Sequence, residues 1–138
     1  MGVCNMLQDV LRPDGTVTHG LRAVAGASGG PHIISGTLQV LSNVLLRGRS
    51  AADAVTEPRM HHQFLPNVAY AEDWEPRNDG GRVTVPVAVV EGLEARGHAV
   101  ERHDKQHAVT QLILQDLDTF ELRAVSDRRK GGVPAGYD

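Results

Sequence analysis

The chain is poor in cysteine, in aromatic residues and in long apolar runs. Its single cysteine, Cys4, excludes a disulfide within the chain and leaves the redox compartment open. No apolar stretch approaches the roughly 20 residues that a membrane-spanning helix needs. Asp9, Arg12 and Asp14 interrupt the region where a signal peptide would carry its apolar segment. The sequence therefore predicts no membrane span in this chain, and its localisation stays open.

Excess charge of one sign is also missing. Fourteen Lys and Arg residues stand against 17 Asp and Glu residues, so the formal net charge is -3. That balance creates no overall field that would attract nucleic acid or an anionic membrane. With 41% hydrophobic residues in 138, the chain is globular in composition and has the length of one modest domain.

Two apolar stretches flank a turn near the N-terminus. Val10 and Leu11 precede Arg12–Gly15, and residues 21–25 follow it. A Pro-Asp-Gly turn between such stretches predicts a β-hairpin. Its second strand is expected to enter residues 26–31, a loop of small residues that permits positive φ angles.

A helical pair is predicted next. Apolar residues recur at helical spacing after Pro31, which predicts a largely buried helix over residues 31–47. Ser50 is a suitable cap for a short second helix over residues 51–57. Together they indicate a helix-turn-helix hairpin.

The remaining sequence favours short strands around a third helix. Two strands separated by Pro66 are expected within residues 59–72. The other predicted elements are a surface loop over 73–82, a helix over 87–97, a strand beginning at His98, and neighbouring strands over 109–115 and 120–125. An order of strands, helices and strands indicates an α+β fold with helices layered on an antiparallel sheet.

Four segments resemble the small subunit of γ-glutamyltransferases (glutathione hydrolases). They are Gly26–Gly30 with the helix after it, the Pro-Arg-Met-His-His-Gln stretch within Glu57–Asn67, Leu93–His98, and Ser126–Tyr137. The likeness runs from about residue 4 to 137 and matches the C-terminal part of that subunit. It implies one partial domain over residues 1–138, from the αββα sandwich of N-terminal-nucleophile hydrolases, with helices on one face of an antiparallel sheet.

The resemblance also implies a chemistry. Family members use an N-terminal threonine, freed by self-cleavage, to transfer a γ-glutamyl group from glutathione to water or an amino acid without a cofactor. That threonine belongs to a segment upstream of this sequence, and Thr16, Thr18 and His19 do not replace it. The chain is therefore expected to be inactive alone, and a glutathione-type substrate is expected only if upstream segments or a large subunit complete it.

Candidate site residues follow from the matched positions. Gly29 and Gly30 match the family's oxyanion-hole glycines, whose backbone N–H groups stabilise a developing negative charge; without the family context, a strand-to-helix turn explains them. Cys4 and Asn5 stand where relatives have a Ser-Ser pair that binds the glutamyl α-carboxylate. Asn5 retains an amide donor and Cys4 is a weak one.

Other chemistries are disfavoured. Cys4 with His19 or His32 as base is an unsupported nucleophile, since Cys4 is expected in a disordered terminus. The histidines, chiefly His98, His103 and His107 but also His61 and His62, are expected at the surface or in packing and not as metal ligands. Residues 128–132, a basic stretch with glycine, are expected to form a solvated turn and to bind no nucleic acid.

Two origins for the chain stay open. It is either a clipped enzyme or a non-catalytic remnant that acts as an interaction module. A sheet that lacks its partner layer exposes an apolar face and open strand edges, so self-association of the isolated chain is expected.

Overall fold

The computed structural model describes residues 2–76 and 81–136. The predicted hairpin is present: β1 (Gly2–Leu11) pairs antiparallel with β2 (Val17–Ser28). Asp14 accepts hydrogen bonds from the backbone N–H and the hydroxyl of Thr16, which closes the turn. The expectation of a disordered N-terminus is wrong, because pairing with β2 continues to the start of β1.

Both predicted helices form. α1 spans His32–Leu45 and α2 spans Ala51–Thr56. The Ser50 hydroxyl accepts from the backbone N–H of Asp53 at 3.1 Å, so it caps α2 as the sequence predicts.

The main sheet has the strand order β1, β2, β7 (Val109–Gln115) and β8 (Leu122–Val125), and every neighbouring pair is antiparallel. α1 and α2 pack on one of its faces. The core between them consists of small and branched residues: Ala23, Ala25, Val40, Leu41, Val44, Ala54, Val55 and Leu112. The α+β class and the one-sided helical layer are confirmed.

A second, smaller sheet was not predicted as a separate unit. Its strands are β3 (Met60–His61), β4 (Ala69–Trp74), β5 (Val83–Thr84) and β6 (Val100–His103), and β6 runs parallel to β4. α3 (Val87–Glu94) connects β5 to β6, and Gly97 has the positive φ of 89° expected after it.

One predicted loop is partly wrong. Asp73 and Trp74, assigned by sequence to the surface loop over 73–82, belong to β4 and pair with β5. Residues 77–80 of that loop lie outside the described residues.

The face of the main sheet opposite the helices carries exposed apolar side chains. Strand alternation puts Val3, Ile113 and Leu122 on this face, and they are 65%, 40% and 60% exposed. β1 pairs only with β2 among the described strands, so its outer edge is open. In the described part of the chain, no helix is long and apolar enough to cross a membrane.

Candidate functional site

The turn between β2 and α1 is built around two adjacent glycines in unusual backbone conformations. Gly29 has φ of 141° and Gly30 has φ of 60°. Their carbonyls accept hydrogen bonds of 3.2 Å from the backbone N–H groups of His32 and Ile33, which starts α1. Among the described residues, no turn or loop hydrogen bond has the backbone N–H of Gly29 or Gly30 as its donor. Both glycines are exposed, so the turn is open to a ligand.

Only glycine fits at position 29. A Cβ atom there would lie 2.7 Å from the Cα of Ala108, which is backbone and cannot swing aside. At position 30 a Cβ would meet nothing within 4 Å, so glycine is favoured there by its φ alone. The two glycines thus have different constraints.

Strand β1 brings Cys4 and Asn5 to the same sheet as the glycine turn. Cys4 pairs with Ala25 and Asn5 with Val24, two and three register positions from the pairing of Gly2 with Ala27 near the end of β2. Cys4 is half-buried against the main core, whereas Asn5 is exposed. Of the two, only Asn5 has the accessibility that a ligand contact requires.

The pairing of Cys4 with a histidine base has no support in the geometry. Nδ1 of His19 lies 2.7 Å from Asp9 on the exposed hairpin. His32 instead packs against His61 and His107, with ring centroids 4.1 and 4.7 Å away.

A cluster of four histidines lies at the N-terminal end of α1, whose first residue is His32. It is formed by His32, His61, His103 and His107. Nδ1 of His103 is 3.0 Å from Nε2 of His107, and Nδ1 of His61 is 2.8 Å from the Ser35 hydroxyl. The rings of all four histidines pack against one another. His98 lies outside this cluster and lines a shallow cavity beside His61 and His62. Across residues 2–76 and 81–136, no group of three or more His, Cys, Asp or Glu side chains is placed to hold a metal ion.

Burial makes this cluster sensitive to acid. Burial, reinforced by the neighbouring histidines, lowers the pKa of His107 from 6.5 to about 3, and burial also lowers the pKa of His32. Both rings are therefore neutral in the folded chain near neutral pH.

We expect the free energy of unfolding to fall as the pH drops below 6.5, by up to about 1.4 kcal/mol per pH unit for His107. The unfolded chain binds the proton first, because its histidine keeps the higher pKa, and the loss continues toward pH 3. Carboxylates whose pKa values are lowered from 3.8, among them Asp73 and Asp127, add to the slope near pH 4.5 in both proteins, so the difference between the two slopes reports His107. Urea unfolding of the wild type and of His107→Gln between pH 6.5 and 4.5 measures it; equal slopes would contradict this assignment.

A buried network of four charged side chains was missed by the sequence analysis. Arg59, Glu72, Asp127 and Arg129 are each 6% exposed or less. Arg129 forms a bidentate ion pair with Glu72 and a second ion pair with Asp127 at 3.1 Å. Arg59 also pairs with Asp127, at 2.9 Å. The solvated turn expected over residues 128–132 is therefore wrong for Arg129, whose side chain is fully buried.

The network also caps the C-terminal end of helix α2. Both arginines donate to the carbonyl of Val55, at 2.7 Å from Arg59 and 3.0 Å from Arg129. Positive charge at a helix C-terminus is favourable. Although burial disfavours a charged guanidinium, Glu72 and Asp127 outweigh it and raise the pKa of Arg129. The Pro-Arg and Asp-Arg-Arg motifs were visible in the sequence, but nothing local indicated that they meet.

Comparison with known proteins agrees with this architecture. Residues 10–137 match the model of the family described as gamma-glutamyltranspeptidase. Glutathione hydrolase 2 of Arabidopsis thaliana is 34% identical over 139 residues, covering 96% of this chain and 23% of the relative. Glutathione hydrolase proenzyme 1 of Schizosaccharomyces pombe is 31% identical over 114 residues, covering 83% and 16%.

A solved structure has the same fold. The gamma-glutamyltranspeptidase from Pseudomonas nitroreducens complexed with L-DON superposes with a TM-score of 0.70 at 26% identity, over the whole of this chain and 64% of that one. The chain thus spans less than a quarter of the length of these two curated relatives.

Proposed function

Because the chain belongs to the gamma-glutamyltranspeptidase family, we propose that it supplies the oxyanion-binding wall of a γ-glutamyl-transferring enzyme. The reaction is acyl transfer from a glutathione-type donor to water or an amino acid. A threonine nucleophile outside these 138 residues attacks the γ-glutamyl carbonyl. The backbone N–H groups of Gly29 and Gly30 then donate to the oxygen that becomes negatively charged.

The conformation of the Gly29–Gly30 turn carries this proposal. Its N–H groups are free of turn hydrogen bonds, its backbone is fixed by the approach to Ala108, and both glycines are exposed. Preorganised donors of this kind stabilise a transition state because they need no reorientation during the reaction. An ordinary strand-to-helix turn requires neither the close approach nor the exposure.

Asn5 is the remaining candidate for binding the glutamyl α-carboxylate. Its amide is exposed on β1 and can donate to a carboxylate. Cys4, half-buried against the core, contributes packing instead. This departs from the two hydroxyls of the Ser-Ser pair implied by the family resemblance, and it predicts weaker glutamyl binding than in relatives.

The threonines near the hairpin turn do not provide a nucleophile. The hydroxyl of Thr16 donates to Asp14 at 2.7 Å, and that of Thr18 accepts from Arg12 at 3.1 Å. Both residues are internal to the chain, so neither has the free α-amine that serves as base in an N-terminal threonine.

We expect the purified chain to release no chromophore from a γ-glutamyl-anilide substrate above background. Oriented hydrogen bonds without a covalent nucleophile do not complete the reaction. The assay is run beside Cys4→Ala, which removes the only thiol. Turnover by the wild type that disappears in Cys4→Ala would show that the chain is an enzyme by itself and would overturn the proposed division of roles.

A non-catalytic interaction module is the second candidate, and the exposed apolar face of the main sheet would be its docking surface; a clipped enzyme leaves the same face open. Val3, Ile113 and Leu122 lie on this face, so self-association of the isolated chain is expected in both cases. Co-expression with upstream segments should suppress self-association only if the chain is part of an enzyme, as sedimentation and dye binding would show. An in-frame Thr-Thr-His segment upstream of Met1 in the nucleotide sequence would favour the enzyme, and stop codons throughout would favour the module.

A further inference from the structure

We propose that residues 107–110 form a platform that positions the Gly29–Gly30 turn, with Ala108 as the contact point and Arg59 as the group that holds the platform. The proposal rests on the proposed function, since it explains how the oxyanion donors are fixed. None of the platform residues is proposed to touch substrate. They are positioning residues.

Ala108 is packed between two glycines that leave room for it. A Cβ on Gly29 would lie 2.7 Å from the Cα of Ala108, and a Cβ on Gly36 of α1 would lie 2.9 Å from its Cβ. Ala108 is only 4% exposed. The turn before α1 and the first half of α1 therefore both rest on the same residue.

The backbone of Ala108 is itself held in an unfavourable conformation. Its φ is 58°, in the left-handed region that is unfavourable for a residue with a Cβ. Such a conformation persists only where the surroundings impose it. The platform is therefore held in place by other groups and does not adopt this shape on its own.

The buried charged network supplies those groups. Nη1 of Arg59 donates to the carbonyls of His107 at 3.3 Å and Ala108 at 3.4 Å. At the two ends of the platform, the N–H of His107 donates to Glu72 and the N–H of Thr110 donates to Asp127 at 2.8 Å. Backbone groups along the platform are thus fixed by charged side chains, and hydrogen bonds to charges are the stronger kind.

A mechanical connection follows from these contacts. Glu72 comes from β4 of the smaller sheet, and Asp127 follows β8 of the main sheet. The ion pairs of these two carboxylates hold Arg59 and the platform in place, and this determines the position of Ala108. Ala108 in turn determines the position of Gly29. The Pro-Arg and Asp-Arg-Arg motifs therefore influence the position of the Gly29–Gly30 turn without contacting it.

The test compares Ala108→Gly with Phe120→Gly, both made in the enzyme completed by a threonine-bearing upstream portion. Phe120 also has a positive φ, of 60°, but lies beyond the other end of β7, so the two substitutions relieve the same backbone strain. Ala108→Gly removes the Cβ that packs against Gly36 and lets the backbone of residue 108 leave its present conformation, so we expect it to lower kcat about tenfold with KM unchanged. Phe120→Gly should leave both unchanged. Arg59→Lys keeps the charge but cannot span both carbonyls, and it should lower kcat in the same way.

Hydrogen exchange measured by mass spectrometry gives a readout independent of activity. The amides of His32 and Ile33, which donate to the carbonyls of Gly29 and Gly30, should exchange about tenfold faster in Ala108→Gly than in the wild type or in Phe120→Gly. Unchanged exchange together with unchanged kcat in Ala108→Gly would overturn the platform. Faster exchange in a protein without any turnover would support the platform and count against the proposed function, so the two failures are distinguishable.

Discussion

Replacement of Arg129 with methionine is expected to lower the free energy of unfolding by about 3–5 kcal/mol, the usual cost of removing one partner of a buried ion pair. The side chain of Arg129 is fully buried and pairs with Glu72 and Asp127, which are themselves at 0% exposure. Methionine fills much of the space but leaves two buried carboxylates short of a cation. It also removes donors from the carbonyls of Val55 and Glu57 at the end of α2.

The matched control is Arg123→Met. Arg123 pairs with Glu121, but both side chains are about 60% exposed. Exposed pairs of this kind contribute about 0–1 kcal/mol. Chemical unfolding of the two variants beside the wild type measures the difference. Equal effects, or a loss below 1 kcal/mol for Arg129→Met, would mean that the network is not structural.

The second large effect is expected from Gly29→Ala in the completed enzyme. The new Cβ would meet the backbone of Ala108 at 2.7 Å, and alanine does not readily adopt a φ of 141°. The turn must shift, which displaces the N–H donors. Since loss of one oxyanion donor costs about 10²- to 10³-fold in kcat, we expect a decrease of that order with a smaller change in KM.

Gly48→Ala is the control for this variant. Gly48 also has a positive φ, of 64°, and a Cβ there meets nothing within 4 Å. It lies after the end of α1, at the opposite end from the turn. Its cost is therefore local backbone strain alone. A kcat for Gly29→Ala that equals that of Gly48→Ala would remove Gly29 from the catalytic machinery.

Sequence reasoning succeeded where structure is set by local patterns. The hairpin followed from a Pro-Asp-Gly turn, α1 from apolar spacing, and α2 from the Ser50 cap, and each is confirmed. It was wrong about the terminus, where Cys4 lies in a strand. Pairing with β2 fixes that strand, and the alternation of its own residues is too weak to indicate it.

The parts that sequence reasoning missed depend on contacts between distant residues. Arg59 and Asp127 are separated by 68 positions, and in isolation a charged side chain at either position is expected at the surface. Their burial depends on the meeting of two sheets, which no local pattern encodes. The same holds for Ala108, whose role is visible only from the space left at Gly29 and Gly36.

The most direct measurement is a crystal structure of the completed enzyme carrying a covalent γ-glutamyl analogue on its threonine. The account predicts that the oxygen of the adduct lies about 2.7–3.1 Å from the backbone nitrogens of both Gly29 and Gly30. The φ angles of both glycines should stay as they are here, with Gly29 still resting on Ala108. An adduct oxygen held by other groups, with the Gly29–Gly30 turn directed away from it, would contradict the account.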